Sequence, residues 1–228
     1  MAKSLKIKEE SFDNREREGN RVSMPRVMMA LIISISVLGL AFFGGYIVSF
    51  LNYQRVANIQ DTIKVDLLTN QLSSDFLQEC NNEAFNFFSG QLDKTGSLIS
   101  ILENKFGKND KNVLEQKKQY SLLEVQHFLA VRDYAKKCNE SIDTILFFYS
   151  NADNYGDEAE MVGKILNNVK EERDSKVMIY SFDYDLDLDI IRLLKTLYSV
   201  DSPNILVVDE ETVLKGVGDV DDILKVLN

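Results

Sequence analysis

Apolar residues fall along this chain in three successive rhythms. The first is continuous. No charged residue occurs across positions 27–54, a run of 28, and residues 27–51 are rich in Ile, Leu, Val, Phe and Met. Roughly 20 apolar residues in a helix cross a hydrocarbon core, so this stretch predicts a transmembrane helix over 27–51, long enough to span with some tilt. Gly39, Gly44 and Gly45 suit a membrane helix, and with Ala41 they offer a small-residue packing face. A cleaved signal peptide is the rival reading, and it needs an apolar stretch of about 7–15 residues and a small-x-small cleavage site. The stretch is too long, and Phe50-Leu51-Asn52-Tyr53-Gln54 supplies no such site.

The second rhythm is helical. Residues 53–138 hold no proline and almost no alternation. Val56, Ile59, Ile63 and Leu67, then Leu72, Phe76, Cys80, Ala84 and Phe87 or Phe88, recur at helix spacing with a drift away from a strict heptad. Gly90 and the Gly107-Lys108-Asn109-Asp110 turn predict two further helices over about 91–106 and 112–138. Tyr120, Leu123, His127, Val131, Tyr134 and Cys138 share a face of the last one. The expectation is a helical hairpin or three-helix bundle, with a parallel coiled-coil dimer as the alternative.

After Ser141 the rhythm changes again. Residues 142–150 read as a buried strand and 155–172 as a helix with Met161, Ile165, Leu166 and Val169 inward. A strand over 177–182, a helix over 188–198, short strands at 205–208 and 212–215, and a closing helix over 220–227 complete the order βαβαββα. Its first βαβ must give a parallel pair, and its last two strands a hairpin. The predicted organisation is a tail over 1–26, the membrane helix over 27–51, a helical region over 52–140 and an α/β domain over 141–228.

Charge refines this picture. The net charge of −10 is concentrated in residues 142–228, which carry 8 basic against 19 acidic residues. Such acidity repels phosphate backbones, and no basic stripe with interleaved aromatics occurs elsewhere, so nucleic acid is not an expected partner. Lys3, Lys6, Lys8, Arg15, Arg17, Arg21 and Arg26 precede the apolar run, whereas Arg55 and Lys64 alone follow it closely. Positive charge stays inside. The tail is expected in the cytoplasm and residues 52–228 outside it, in a cell membrane.

Candidate chemistry is sparse. The two cysteines, Cys80 and Cys138, are placed by periodicity on the apolar sides of two long helices. In an oxidising compartment a disulfide is the leading reading, and it closes a loop of about 59 residues, worth roughly 4 kcal/mol in the chain-entropy model. Two buried free thiols are the alternative. His127 is the chain's one histidine, and without neighbouring ligands it reads as a packed or rim residue, not a metal site. No metal or cofactor is expected. Asn139-Glu140-Ser141 matches the glycosylation sequon, a pattern common by chance. The run Asp183-Tyr184-Asp185-Leu186-Asp187-Leu188-Asp189 invites a calcium reading, but an EF-hand loop needs glycine sixth and an acid twelfth, where Leu188 and Leu194 stand. Asp183 and Asp185 are expected to end a strand, and Asp187 and Asp189 to open the next helix.

The element order, with a proline just before the third strand, resembles the core of the thioredoxin fold. Phe147-Phe148-Tyr149-Ser150-Asn151 is similar to the strand and bend leading into that family's active-site motif. Tyr198-Ser199-Val200-Asp201-Ser202-Pro203-Asn204 resembles its "tyrosine, x, valine, x, x, proline, threonine" segment, whose proline is cis. Lys215-Gly216-Val217-Gly218 resembles the glycine-containing end of its last strand. The likeness covers about residues 142–228. Where the family has two catalytic cysteines this chain has Asp153 and Gly156, and where it has a buried acid this chain has Phe147. Thiol–disulfide exchange needs a thiolate, which neither Asp nor Gly supplies, and Asp153 reads as a helix N-cap.

The resemblance therefore implies a redox-silent, membrane-anchored domain and not an enzyme. It would bind another extracytoplasmic or membrane protein, or a peptide, through Asp153, Asn154, Tyr155, Ser202, Pro203 and Asn204. Two alternatives stay open: a thiol–disulfide oxidoreductase working through Cys80 and Cys138, and a purely structural envelope protein.

Overall fold

The computed structural model describes residues 24–77, 80–173 and 176–227; most of the predicted tail, 1–23, lies outside the described residues. The chain divides into two compact units, Met1–Ala57 and Asn58–Asn228. Helix α1 spans Met24–Leu77. Within the first unit its stretch Met24–Leu51 is long and apolar enough to cross a membrane and is not buried against protein. Two serine hydroxyls there are satisfied within the helix. The Ser34 and Ser36 hydroxyls donate to Ala30 O at 2.9 Å and Ile32 O at 2.8 Å.

The second unit begins with a helical hairpin, α2 (Asn82–Phe106) and α3 (Lys111–Cys138). This differs from expectation. Gly90 does not end a helix, because one interior glycine costs only about 1 kcal/mol and the flanking apolar stripe outweighs it. The break falls earlier, at Cys80, whose φ of 53° is left-handed, followed by Asn81. Asn81 Oδ1 caps α2 by accepting the Glu83 and Ala84 N–H groups. Asp110 caps α3 in the same way, toward Asn112 and Val113. Phe85, Phe88, Leu92, Thr95, Ile99 and Leu102 of α2 are buried at steps of three and four, the spacing of antiparallel helices packed in register. From α1, Ile63, Asp66 and Leu77 are buried beside them, and Thr95 Oγ1 donates to Asp66 Oδ2 at 3.0 Å.

The α/β part follows as β1 (Asp143–Tyr149), α4 (Gly156–Arg173), β2 (Val177–Asp183), α5 (Asp189–Leu197), β3 (Ile205–Val208), β4 (Thr212–Lys215) and α6 (Val220–Leu224). The four strands form one mixed sheet in the order β2-β1-β3-β4. β1 and β2 are parallel, Asp143 opposite Val177, while β1–β3 and β3–β4 are antiparallel. Glycine is needed at Gly216, which leaves β4 with φ 65°.

Alternation along β1 supplies two cores. Ile145 and Phe147 pack with Val162, Ile165, Leu166 and Val169 of α4 and Ile223 of α6. Met161 points outward, 44% exposed, and Val162 takes the inward place expected of it. On the other face Leu146, Phe148, Tyr180 and Phe182 pack with Leu123, Val125 and Phe128 of α3 and Ile191 and Leu194 of α5. Helix α3 thus belongs both to the hairpin and to the sheet's core.

Candidate functional site

The residues singled out by the thioredoxin resemblance converge at the end of β1. Asn204 organises them. It sits in the left-handed region, φ 60°, which asparagine tolerates better than most residues. Its N–H donates to Phe148 O at 2.7 Å, its Nδ2 to Tyr155 O at 3.0 Å and Glu158 Oε2 at 2.7 Å, and its Oδ1 accepts from Ser150 N at 3.4 Å. One side chain therefore ties the segment before β3 to the bend between β1 and α4. Ser150 holds that bend from the other side, its hydroxyl donating to Asp185 Oδ2 at 2.5 Å and accepting the Ala152 N–H.

This arrangement sorts the six candidates. Asp153 and Asn154 are exposed, and Tyr155, Ser202 and Pro203 are half-buried beside them. Asn204 is 3% exposed and faces inward, so it shapes the surface without belonging to it. Asp153 does not cap α4, because the chain makes a turn from Ala152 to Gly156, with both the Tyr155 and Gly156 N–H groups on Ala152 O. The peptide bond before Pro203 is trans, as are all others among the described residues, which departs from the family's cis proline.

The cysteines are joined: Cys80 and Cys138 form a disulfide. Cys138 ends α3 as periodicity implied, but Cys80 occupies the turn before α2 and not a helix face. His127 is fully buried, stacked on Phe88 with ring centres 4.5 Å apart, and its Nδ1 lies 2.9 Å from the Tyr180 hydroxyl. Burial lowers its pKa to about 3, so the ring is neutral. Asp183 ends β2 and Asp189 opens α5 as expected, but Asp185 lies in the turn beyond the strand and Asp187 precedes the Leu188 N-cap. Asp187 and Asp189 both pair with Arg192.

Sequence reasoning missed a buried charge network. Lys117 of α3, 3% exposed, places Nζ 2.5 Å from Asp183 Oδ2 and 3.1 Å from Glu103 Oε1, with the Tyr149 ring 5.2 Å away. Burial works against the ammonium, but Tyr149, Asp183 and Glu103 outweigh it and hold the Lys117 pKa above its ordinary value. Burial pushes the Tyr149 hydroxyl up as well. Two turns further along α3, Glu124 is 1% exposed. Its Oε1 accepts the Ser181 N–H at 2.8 Å, and its Oε2 has no partner among the described residues. Burial raises its pKa to about 8 against the lowering effects of the Ser181 bond and Lys117, so this carboxyl is protonated at neutral pH. A helical phase count finds both positions: 113, 117, 120, 124, 127, 131 and 134 form one stripe, and Lys117 and Glu124 stand on it.

Lys117, Tyr149, Tyr120 and Ser181 line a cleft of about 550 Å³ between α2, α3, α4 and the β1–β2 floor. Among the described residues no group of three or more His, Cys, Asp or Glu side chains is placed to hold a metal ion. No family model, no curated protein and no solved structure matches this chain.

Proposed function

We propose that the chain is a membrane-anchored, redox-inactive thioredoxin-like domain that binds a protein or peptide partner outside the cytoplasm. The observation that carries this reading is the junction made by Asn204, which sets the bend at residues 152–155 against Ser202 and Pro203 at one end of the sheet. Strand order β2-β1-β3-β4, with a parallel first pair and an antiparallel last pair, supports the thioredoxin resemblance. Asp153 and Gly156 stand where a thiol pair would be needed for exchange chemistry, and both cysteines lie elsewhere. The charge asymmetry around the apolar helix supports a cytoplasmic tail and an extracytoplasmic body.

Tyr155 is the aromatic anchor at this face. Its carbonyl accepts the Asn204 bond through the main chain, so Tyr155→Ala keeps that bond. The variant is expected to reduce capture of membrane partners under mild cross-linking while its melting temperature stays within a degree or two of wild type, as surface changes generally do. Unchanged capture, or capture lost only in step with stability, would move the binding site elsewhere.

A further inference from the structure

Two glycines sit inside helices with no local need for them. Gly90 in α2 and Gly163 in α4 each cost about 1 kcal/mol relative to alanine. Neither has positive φ, and a Cβ built at either meets nothing within 4 Å. Gly96 is different, since a Cβ there would come within 2.7 Å of the Tyr120 hydroxyl. Gly163 lines the 550 Å³ cleft, and Gly90 lines a second cavity of about 260 Å³. The two spaces share Asp93, Lys170 and Ile179, so they are consecutive parts of one cleft, crossed by the Lys170–Asp93 ion pair at 3.0 Å.

The smaller cavity has unmet hydrogen-bonding capacity. His127 and Ser89 both line it, and His127 Nε2 and Ser89 Oγ are buried without partners among the described residues. Buried polar atoms are normally paired, so such orphans ask for an occupant. The cavity also follows the outer edge of β2. Tyr184 N–H donates inward to Tyr149 O at 2.7 Å, whereas Ser181 N–H donates outward to Glu124. Main-chain groups alternate along a strand, so Ile179, two residues before Ser181, turns its N–H and C=O to the same outer edge. Neither group has a hydrogen bond outside the sheet among the described residues. An unpaired strand edge is a template for another extended chain.

We propose that this cleft binds an extended polypeptide segment with small side chains, laid beside β2 at Ile179. Its main chain supplies the acceptor and donor that Ile179 lacks, a form of strand addition. Its neighbouring amides reach Ser89 Oγ and His127 Nε2. The segment stops where Glu124 occupies the edge at Ser181, and the bare backbone at Gly90 and Gly163 leaves room for its side chains. This site is separate from the face around Tyr155.

The test uses the full chain in lipid nanodiscs and a displayed library of short linear peptides. Gly90→Leu fills the cavity mouth with a residue of better helix propensity, so the variant folds. Enriched peptides are expected to slow hydrogen exchange of the Ile179 amide, to leave the Glu124-bonded Ser181 amide unchanged, and to lose about tenfold or more in affinity on Gly90→Leu but not on Tyr155→Ala. Failure to enrich any peptide, or equal binding to Gly90→Leu, overturns the proposal. Peptides lost on Tyr155→Ala alone belong to the other face and overturn it equally, while leaving that face's function standing.

Discussion

Glu124 makes the folded protein's stability depend on pH in a direction opposite to that of most carboxylates. Its carboxyl is buried and protonated in the fold, with a pKa near 8 against an ordinary value of 4.5. Between those values folding takes up a proton, so stability from this group is fully present below pH 4.5 and is lost as pH rises through about 8. At about 1.4 kcal/mol per pH unit, the loss by pH 7 is about 3 kcal/mol. His127 works the other way. Its pKa is lowered from 6.5 to about 3, so folding releases a proton, and its contribution is present above pH 6.5 and lost as pH falls toward 3. From pH 4.5 to 6.5 the two slopes cancel.

Glu124→Gln isolates the effect. The amide oxygen keeps accepting the Ser181 N–H, and the ionisable group is gone. Denaturant titrations of the full chain in detergent micelles, repeated from pH 4 to pH 9, should show the variant gaining on wild type by about 3 kcal/mol between pH 4 and pH 7, and by somewhat more at pH 9. The unpaired amide hydrogens add a constant offset of about 1 kcal/mol against the variant, so the slope of the difference is the diagnostic quantity. A difference that stays flat from pH 4.5 to pH 8 would refute the assignment of a neutral buried Glu124.

Lys117→Met leaves Asp183 and Glu103 facing each other without their shared cation, and equilibrium unfolding should show a loss of about 3–5 kcal/mol. Reducing Cys80–Cys138, or replacing both cysteines by serine, should lower stability by about 4 kcal/mol, read from the same denaturant midpoints; a bond reduced readily by glutathione would instead favour thiol–disulfide handling. A protease added to intact cells should remove an epitope fused at the C-terminus and spare one at the N-terminus, and the reverse pattern would overturn the proposed orientation.

The parts of this fold legible in the residues are those where one physical rule acts alone. The long apolar helix follows from an uninterrupted apolar run, and the strands of the α/β part from compact β-branched and aromatic segments bounded by polar turns. The 205–208 and 212–215 hairpin was readable to the residue, since Asp209-Glu210-Glu211 can only be a turn between two short apolar runs. The α1–α2 break was not. Gly90 looked like the punctuation, but a glycine without a competing cap does not stop a helix, whereas Asn81 offers the new helix's N–H groups an acceptor. Cys80 went astray for the same reason, because periodicity carried it onto a helix face that ends three residues earlier, at Leu77.

The candidate face shows a subtler limit. The thioredoxin resemblance implied that Asp153, Asn154, Ser202 and Asn204 would share a surface, and chain geometry does bring their segments together. Yet the residue that does the joining, Asn204, must turn inward to do it, which no single-residue preference reveals. Lys117 and Glu124 mark the converse case. They are charged, so polarity alone assigns them to solvent, but they stand on the same helical stripe as Val113, His127, Val131 and Tyr134. Phase outweighs polarity there because Asp183 and Glu103 compensate the lysine and protonation neutralises the glutamate. A charged residue in phase with a core stripe therefore points to a buried partner or a shifted protonation state, and in α3 one stripe contains an instance of each.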